Sequence, residues 1–352
     1  MLNFITLFDK NYFSRGLALY NSLVEQCDNF ILYILAMDSE TEEYFNQESV
    51  NNRKIISLSH IESFYPELVE IKKERSRAEY CWTLTPYSIQ YAIKNYNLES
   101  CTYLDADTFF YSNPKVLIDE AGDNSIIITE HGYTPEYDQT KTSGKYCVQF
   151  MFFRNDANGT EALEWWRQRC KEWCYAKFED GKLGDQKYLD DWTTRFKGVY
   201  VPRHIGCGIA PWNIQQYDFI AKDVKIVVSD KITKEQGELI FVHYHNLKKC
   251  SFSGKNAWYL GSYNISDNAK EFLYMPYISK LHKTEETLEN DLVSSVSKKN
   301  DSSLPQKKSF FYFLLKNIYE ILRIKKQYAL YKKIVEKNKE KNAEEFSRYI
   351  FD

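Results

Sequence analysis

The chain has 352 residues, 43% hydrophobic and 27% charged, which is enough for one large α/β domain with an appendage or for two small domains. Its 13 glycines are few and argue against a glycine-rich dinucleotide-binding fold. The net charge is −3, yet residues 307–341 hold eleven Lys and Arg against three Glu, so this segment carries +8 and the rest of the chain −11. The sequence therefore combines an acidic body with a basic tail.

The eight cysteines form no C-x-x-C pair and no zinc-finger spacing, which is typical of reduced thiols in a cytoplasmic protein. The first residues show neither a basic segment nor a long apolar core, so we expect no signal peptide. No stretch approaches the roughly 20 apolar residues of a membrane span. These features predict a cytoplasmic protein.

Apolar periodicity predicts alternating strands and helices over the first half of the chain. The predicted strands are residues 3–8, 30–36, 54–58, 101–104, 125–129 and 147–153. The predicted helices are residues 14–27, 40–48, 60–73, 86–97 and 158–175. Pro86 is expected in the first turn of its helix, and Asn155 or Asp156 should cap the last one. This alternation predicts an α/β fold with a mostly parallel central sheet flanked by helices.

The character of the sequence changes after residue 265, where the predicted first domain, residues 1–265, ends. Residues 266–306 include a polar, serine-rich stretch and are predicted to be a linker. Residues 307–352 combine aromatic and aliphatic residues with clustered lysines, which predicts a basic amphipathic helical tail.

The clearest chemical signal is a D-x-D pair that follows an apolar strand. Asp105 and Asp107 come directly after the predicted strand 101–104, and ligand sites in open α/β sheets lie at the carboxyl ends of strands. Because residues i and i+2 of a straight strand point the same way, both carboxylates can converge on one ion. Hard oxygen ligands suit Mg²⁺ or Mn²⁺ bound to a diphosphate. A purely structural alternative is that the pair caps a turn or the next helix.

In its order of motifs, the chain from about residue 1 to 260 resembles the GT-A fold glycosyltransferases, and in particular the glycogenin-like and bacterial lipopolysaccharide galactosyltransferase-like enzymes. The resemblance implies a Rossmann-like sheet and a C-terminal helical extension. It also implies a nucleotide-diphosphate sugar donor, with a UDP-sugar favoured, bound through Mn²⁺ or Mg²⁺. Transfer with retention of configuration, in the synthesis of bacterial surface polysaccharide or lipopolysaccharide, is what the resemblance implies for the reaction.

Two early segments are similar to the donor-binding half of that family. Residues 4–9 and 15–23 match its first strand and following helix, where base and ribose bind, which implies a donor contact at Phe8. Residues 75–80 match a segment that places a basic residue against the donor sugar or diphosphate, which implies this role for Arg77, with Arg75 as the alternative. The same arginines could belong only to a charged helix face.

Two later segments complete the resemblance. Residues 184–189 resemble a D-Q motif beside the reacting sugar and imply catalytic roles for Asp185 and Gln186, although Asp185 could simply cap a helix. Residues 241–249 resemble a late motif that implies a metal ligand at His243 and a phosphate contact at Lys249.

Three details of these segments depart from the family pattern or leave a choice open. His245 is the alternative metal ligand, because it is two residues from His243 on a predicted strand. Asn246 stands where the family usually has glycine. Gln149 stands near the position of a sugar-binding amide and is expected to replace it.

The expected acceptor is a glycan or a lipid-linked glycan, and no nucleic-acid partner is expected. Residues 307–352 are predicted to bind an anionic membrane at its inner face; alternatively they pack on the catalytic domain or pair with a second copy of the chain. Two other functions compete with the transferase. A haloacid dehalogenase-type phosphatase also has D-x-D after a strand, but near the N-terminus and followed by a different pattern than Thr108-Phe109. A non-catalytic membrane-surface scaffold would use only the tail.

Overall fold

The computed structural model describes residues 1–47, 50–252, 254–297, 326, 329, 332 and 348–351. The chain forms two compact units. The first unit is Met1–Tyr217 with Ala221–Tyr244, and the second is Asp218–Ile220 with His245–Asp352. The first unit thus ends earlier than the catalytic domain predicted to reach residue 265.

The strands are bounded as follows: β1 Leu2–Phe8, β2 Phe30–Ala36, β3 Arg53–Ser57, β4 Ser100–Leu104, β5 Thr108–Phe110, β6 Ile126–Glu130, β7 Tyr146–Arg154, β8 Val199–Tyr200, β9 Tyr217–Lys222, β10 Lys225–Asp230, β11 Gln236–Glu238, β12 Phe241–His243, β13 Lys248–Phe252, β14 Lys255–Tyr259 and β15 Tyr349–Phe351.

The α-helices are α1 Phe13–Gln26, α2 Ser39–Asn46, α3 Leu58–Phe64, α4 Glu67–Glu74, α5 Arg77–Asn95, α6 Lys115–Ala121, α7 Thr140–Ser143, α8 Ala157–Glu172, α9 Trp192–Arg195, α10 Asp267–Ala269 and α11 Met275–Ser297. Short 3-10 helices span Lys10–Tyr12, Pro135–Tyr137, Gln186–Leu189 and Ile214–Gln216, and a π-helical turn spans Lys270–Tyr274.

A seven-stranded sheet organises the first unit. Its strand order is β3-β2-β1-β4-β7-β6-β8. Neighbouring strands are parallel except at β7, which runs antiparallel to both β4 and β6. Helices cover both faces, so the predicted α/β class with a mostly parallel sheet flanked by helices is confirmed.

Strand β1 shows how the sheet fills two core layers. Ile5 and Leu7 belong to the layer under α5 and α8, whereas Phe4 and Phe8 belong to the layer under α1 and α6. The two-residue period of a strand produces this division. On the second face α1 lies very close to β1, because a Cβ on Gly16 would be only 2.3 Å from the Phe8 ring.

Helix α5 begins nine residues earlier than residue 86, where the sequence predicted it. Ser76 and Glu79 form a capping box, in which each side chain accepts a hydrogen bond from the other residue's backbone N–H. Pro86 consequently lies inside the helix and not in its first turn. The cap at Ser76 outweighs the proline as a start signal. At α8 the cap is Asp156, one of the two predicted residues.

The second unit contains helices within the segment that the sequence predicted to be a linker. Helices α10 and α11 occupy most of residues 266–306, and Tyr277, Ile278 and Leu281 of α11 are buried at helical spacing. These buried apolar residues are surrounded in the sequence by polar residues, and that polar composition led to the prediction of a linker. Most of the predicted helical tail, residues 307–352, lies outside the described residues. Its described end is strand β15, which pairs antiparallel with β14.

None of the eight cysteines forms a disulfide, and all eight belong to the described residues. Within the part of the chain that the structure describes, no helix is both long and apolar enough to span a membrane.

Candidate active site

The D-x-D pair lies in a tight turn rather than in a continuing strand. Strand β4 ends at Leu104, and the Asp105 carbonyl accepts hydrogen bonds from the N–H and the hydroxyl of Thr108, at 3.1 Å and 2.7 Å. The two carboxylates were expected to converge through strand alternation. They converge instead because this turn folds Asp107 back beside Asp105 before β5 begins.

A two-stranded antiparallel sheet brings His243 to the same place. Strand β12 pairs with β5, and the register places His243 opposite Thr108. The N–H of Tyr244 donates to the Asp107 carbonyl at 2.9 Å, and the N–H of His243 donates to the Ile209 carbonyl at 2.8 Å. The backbone N–H groups of His243 and of the next residue are thus both held by hydrogen bonds, which fixes the position of the histidine.

Together these elements form a cluster of three potential metal ligands. One ligand atom each of Asp105, Asp107 and His243 lies within 4.8 Å of the others. His243 Nε2 is 3.1 Å from Asp107 Oδ1 and 3.8 Å from Asp105 Oδ2. The Asp105 side chain keeps 27% of its surface exposed, so the cluster is open to solvent on one side. Two carboxylates and one imidazole form a donor set that fits Mn²⁺ or Mg²⁺.

Burial and mutual repulsion make this cluster electrostatically unusual. Burial, together with the neighbouring Asp107, raises the pKa of Asp105 to about 6 despite the opposing effect of His243. Burial by itself lowers the pKa of His243, but Asp107 and the hydrogen bond to it raise that pKa well above its usual range. The imidazolium therefore pairs with the carboxylates. A divalent cation can take the place of that positive charge.

Asp185 lies near this cluster on a separate loop. It is 5% exposed, its Oδ2 makes no hydrogen bond, and the Trp166 indole N–H donates to its carbonyl at 2.9 Å. Burial and the charge of Asp105 raise the pKa of its carboxyl to about 7. Asp185 precedes the 3-10 helix Gln186–Leu189 but makes no side-chain capping hydrogen bond. The described structure thus does not support the capping alternative for this carboxylate.

Two other predicted site residues, Gln186 and Arg77, are already partnered within the first unit. The Gln186 amide donates to the Ser143 carbonyl at 2.9 Å. The Arg77 guanidinium bridges Asp9 and Asp38, which follow β1 and β2, and its bond to Asp38 is 3.1 Å long. Their catalytic and diphosphate roles stay predictions.

The side chains of Phe8 and Arg75 are both buried, and their donor-binding roles stay predictions. The Phe8 ring is 3% exposed and packs edge-on against Phe45, so it belongs to the core, and its carbonyl accepts from the N–H of Met37 at 3.0 Å. Arg75, the alternative to Arg77, is buried, and its guanidinium stacks 3.8 Å from the Tyr175 ring centre.

The remaining predicted residues lie in the second unit. Lys249 Nζ forms an ion pair with Glu285 Oε2 at 3.2 Å, and its phosphate role stays a prediction. His245 is exposed and follows the end of β12, so it does not share a strand face with His243. Asn246, at the position of the family's glycine, has a φ of 64°. Asn is among the few side chains that tolerate this left-handed conformation.

Sequence reasoning missed three aromatic residues around the cluster. The Tyr103 hydroxyl donates to Asp105 Oδ1 at 3.1 Å, and the Trp212 ring packs edge-on against His243. Tyr12 is 42% exposed, and the charge of Asp107 together with burial raises its pKa to about 12. Only Tyr103 could have been suggested by the sequence, because it is two residues from Asp105.

No family model matches the chain. YfnD of Bacillus subtilis (strain 168), an uncharacterized protein, is 31% identical to it over 288 residues, which cover 79% of this chain and 88% of YfnD. YfnF of the same strain, also uncharacterized, is 30% identical over 259 residues, or 71% of this chain and 83% of YfnF. The chain belongs to the family of YfnD and YfnF.

Among solved structures, this member of the YfnD and YfnF family is similar to a xylosyltransferase and a galactosyltransferase. Mouse xyloside xylosyltransferase 1 in its apo form has a TM-score of 0.44 and 14% identity, covering 70% of this chain and 98% of that chain. Galactosyltransferase LgtC with donor and acceptor sugar analogs has a TM-score of 0.48 and 12% identity, covering 80% and 96%.

Proposed function

We propose that this protein is a metal-dependent glycosyltransferase that takes a sugar from a nucleotide-diphosphate sugar. The observation that carries the proposal is the cluster of Asp105, Asp107 and His243 at the carboxyl end of β4. Two acidic oxygens and one imidazole nitrogen within 4.8 Å suit a divalent cation that keeps room for further ligands. The carboxyl edge of an α/β sheet is where nucleotides bind in such folds.

In this proposal Asp105, Asp107 and His243 hold Mn²⁺ or Mg²⁺. The cation neutralises negative charge on the diphosphate, which makes the nucleoside diphosphate a better leaving group. Tyr103 orients Asp105 through its hydroxyl, and the turn that ends at Thr108 fixes the spacing of the two carboxylates. The protein thus supplies a preorganised acidic site for the cation, and the cation in turn binds the donor diphosphate.

Asp185 is the proposed contact to the reacting sugar. Its buried Oδ2 has no partner, and a carboxyl with a pKa of about 7 can accept from or donate to a sugar hydroxyl near neutral pH. Gln186, the next residue, is tied to Ser143 by its amide N–H, which leaves its Oε1 as an acceptor for the same substrate. The exposed ring of Tyr12 offers a stacking surface for the donor base.

For the donor we favour a UDP-sugar, and for the acceptor a glycan or lipid-linked glycan of the bacterial surface. Retention of configuration is part of the proposal, as the resemblance implies. The basic segment 307–352 would hold the protein at the anionic inner face of the membrane, where a lipid-linked acceptor is found. A second copy of the chain is the alternative partner for that segment.

The decisive test is ligand binding by the full-length protein. We expect UDP with Mn²⁺ to raise the melting temperature, because a ligand that binds only the folded state stabilises it. UDP without metal, and AMP with Mn²⁺, should raise it much less. Slow Mn²⁺-dependent hydrolysis of one UDP-sugar from a panel should accompany the shift. Absence of any metal-dependent shift with UDP, GDP, CDP, ADP or dTDP contradicts the proposal.

No observation in the site favours the phosphatase or the scaffold. The D-x-D pair follows the fourth strand and is joined by a histidine, whereas the phosphatase motif is expected near the N-terminus. A scaffold gives no reason for a buried carboxylate at Asp185 with one oxygen, Oδ2, that has no hydrogen bond.

A further inference from the structure

Gln149 connects the backbone of Asp105 to the side chain of His243. It lies on β7 with no exposed surface. Its backbone carbonyl accepts a hydrogen bond from the N–H of Asp105 at 3.2 Å, and its side-chain Oε1 lies 3.0 Å from His243 Nδ1. One residue thus contacts two members of the proposed metal cluster. It does so from inside the protein, so it cannot contact a sugar as the sequence suggested.

The sheet is irregular where Gln149 lies. Strand β6 pairs Ile127 with Phe152 and then Thr129 with Cys147, so the pairing moves five positions along β7 while it moves two along β6. Such bulges re-aim side chains next to functional sites. Here the bulge turns the Gln149 amide between Thr129 and His243.

In the hydrogen bonds around Gln149, the donor and the acceptor of each bond can be assigned. The carbonyl of Cys147 can only accept, and the Thr129 hydroxyl donates to it at 3.4 Å. With its proton used there, the Thr129 oxygen accepts from Gln149 Nε2 at 3.3 Å. Gln149 Oε1 therefore faces His243, and an amide oxygen can only accept. It follows that His243 Nδ1 carries a proton, which leaves Nε2 as the nitrogen that faces Asp107.

Gly208 makes room for the Gln149 side chain at this place. Gly208 lies against Gln149, and a Cβ at that position would be 2.7 Å from Nε2. Gly208 also has a φ of 72°, a conformation that favours glycine. The Cys147 thiol contacts the His243 ring as well, but a thiol is a weak donor and a weak acceptor, so it does not select between the two ring nitrogens.

We propose that Thr129 and Gln149 are positioning residues that hold His243 with its proton on Nδ1, so that Nε2 can bind the divalent cation. This inference rests on the proposed function, because it concerns the same metal cluster. Partners of this kind orient metal-binding histidines and set their tautomer. Two side-chain hydrogen bonds connect Thr129 through Gln149 to His243, and both Thr129 and Gln149 are buried.

The test measures binding of Mn²⁺ alone to the full-length protein, from the electron paramagnetic resonance signal of the free ion. Gln149→Leu should weaken binding about 10–100-fold. Thr129→Val has almost the shape of threonine but lacks the hydroxyl; the amide can then turn, and we expect binding about fivefold weaker, the effect of one hydrogen bond. Thr129→Ser keeps the hydroxyl and should restore wild-type binding. Thr6→Val is the matched control, because Thr6 is a fully buried threonine whose hydroxyl has no partner to lose.

A second measurement reads the proton directly. With ¹⁵N-labelled histidine, nuclear magnetic resonance of the metal-free protein, at a pH high enough for the ring to be neutral, should show the His243 Nδ1 protonated in the wild type and in Thr129→Ser. Thr129→Val should show a mixture of the two tautomers. This readout does not depend on catalysis, and a merely structural role for Thr129 would not change it.

The outcomes separate the inference from the proposed function. If the wild type binds Mn²⁺ and both Thr129→Val and Gln149→Leu bind it equally well, the positioning role is overturned while the metal site stands. If the wild type itself does not bind Mn²⁺ or Mg²⁺, the metal site and the positioning role fail together. Should Gln149→Leu fail to fold, the comparison of Thr129→Val with Thr129→Ser still decides.

Discussion

Asp107 Oδ1 lies 3.1 Å from His243 Nε2, and the Asp107 carbonyl accepts a hydrogen bond from the N–H of Tyr244 at 2.9 Å. The aspartate is therefore bound to the histidine segment by its side chain and by its backbone. The pairing of β5 with β12 imposes this relationship, since it places His243 opposite Thr108. Strand pairing and backbone hydrogen bonds thus build the cluster into the fold.

We expect Asp105→Ala and Asp107→Ala each to lower metal-dependent donor hydrolysis by a factor on the order of 100 or more. Each variant loses a carboxylate that holds the proposed cation. The metal-free melting temperature of Asp105→Ala should not fall, because burial raises the pKa of this carboxyl and its charged form is destabilised in the folded state. Hydrolysis of the donor and thermal unfolding without metal measure the two effects.

Asp119→Ala is the matched control for this pair. Asp119 is an exposed carboxylate on α6 that pairs with Lys115 on the surface, and its loss should leave hydrolysis unchanged. Hydrolysis above about a tenth of the wild-type rate in both site variants contradicts the metal role, since one lost stabilising group usually costs far more.

His243→Ala should weaken Mn²⁺-dependent binding of UDP by about tenfold or more, whereas His245→Ala should leave it nearly unchanged. The two residues differ in position: His243 is 5% exposed beside both carboxylates, and His245 is exposed beyond the end of β12. Isothermal titration calorimetry with and without Mn²⁺ gives the comparison. The reverse ranking would move the proposed ligand to His245.

Asp185→Asn should abolish most turnover while keeping the fold. The carboxyl pKa is raised from 3.8 to about 7, by burial first and by Asp105 second. Between about pH 4 and pH 7 the folded protein keeps a proton that the unfolded chain releases, so the free energy of unfolding of the wild type falls as the pH rises through this range.

The asparagine variant lacks this loss, so its stability relative to wild type should increase by a few kcal/mol from pH 4 to pH 8. Thermal unfolding of the metal-free proteins across this range measures the difference. A difference that stays constant with pH shows that the carboxyl titrates normally. Unchanged turnover removes Asp185 from the proposed reaction.

Gly16→Ala should destabilise the protein by about 1–3 kcal/mol, even though alanine is the better helix former. A Cβ at this position would lie 2.3 Å from the nearest atom of the Phe8 ring, in a layer that has no room for it. Denaturant unfolding measures the effect. Adding Phe8→Leu should relieve the clash and recover part of the loss, as neighbouring sites are not additive. A Gly16→Ala variant that is more stable than wild type contradicts the close packing of α1 on β1.

Replacing Lys325, Lys326, Lys332 and Lys333 by glutamine should weaken binding to vesicles of anionic lipid, by about 1 kcal/mol for each charge. Substitution is preferred to deletion of the segment because strand β15 at the end of the chain pairs with β14. The matched control replaces the same lysines by arginine and should keep both binding and its salt dependence. Donor hydrolysis should not change in either variant. A full-length protein that ignores these vesicles at low salt contradicts the membrane role.

The positions of most strands of the large sheet could be predicted from the sequence. Strand β2 has the predicted bounds, and each end of the other predicted strands of the large sheet differs by at most one residue, because a buried apolar run is itself a strand signal. The start of α5 was missed since Ser76 and Glu79, its capping box, were read only as part of a charged segment. Helix α11 was missed because its buried positions lie among serine, lysine and glutamate.

The sequence by itself determined the α/β alternation, the acidic pair after β4 and the separation of charge between body and tail, since each depends on residues close together in the chain. Only the tertiary structure decided which atoms form the site. The register of β5 with β12 selects His243, the turn ending at Thr108 sets the approach of the two carboxylates, and burial gives Asp185 its raised pKa. The β7 bulge gives Gln149 a role toward His243. These properties depend on contacts between distant segments and on exclusion of water, and neither can be read from local sequence.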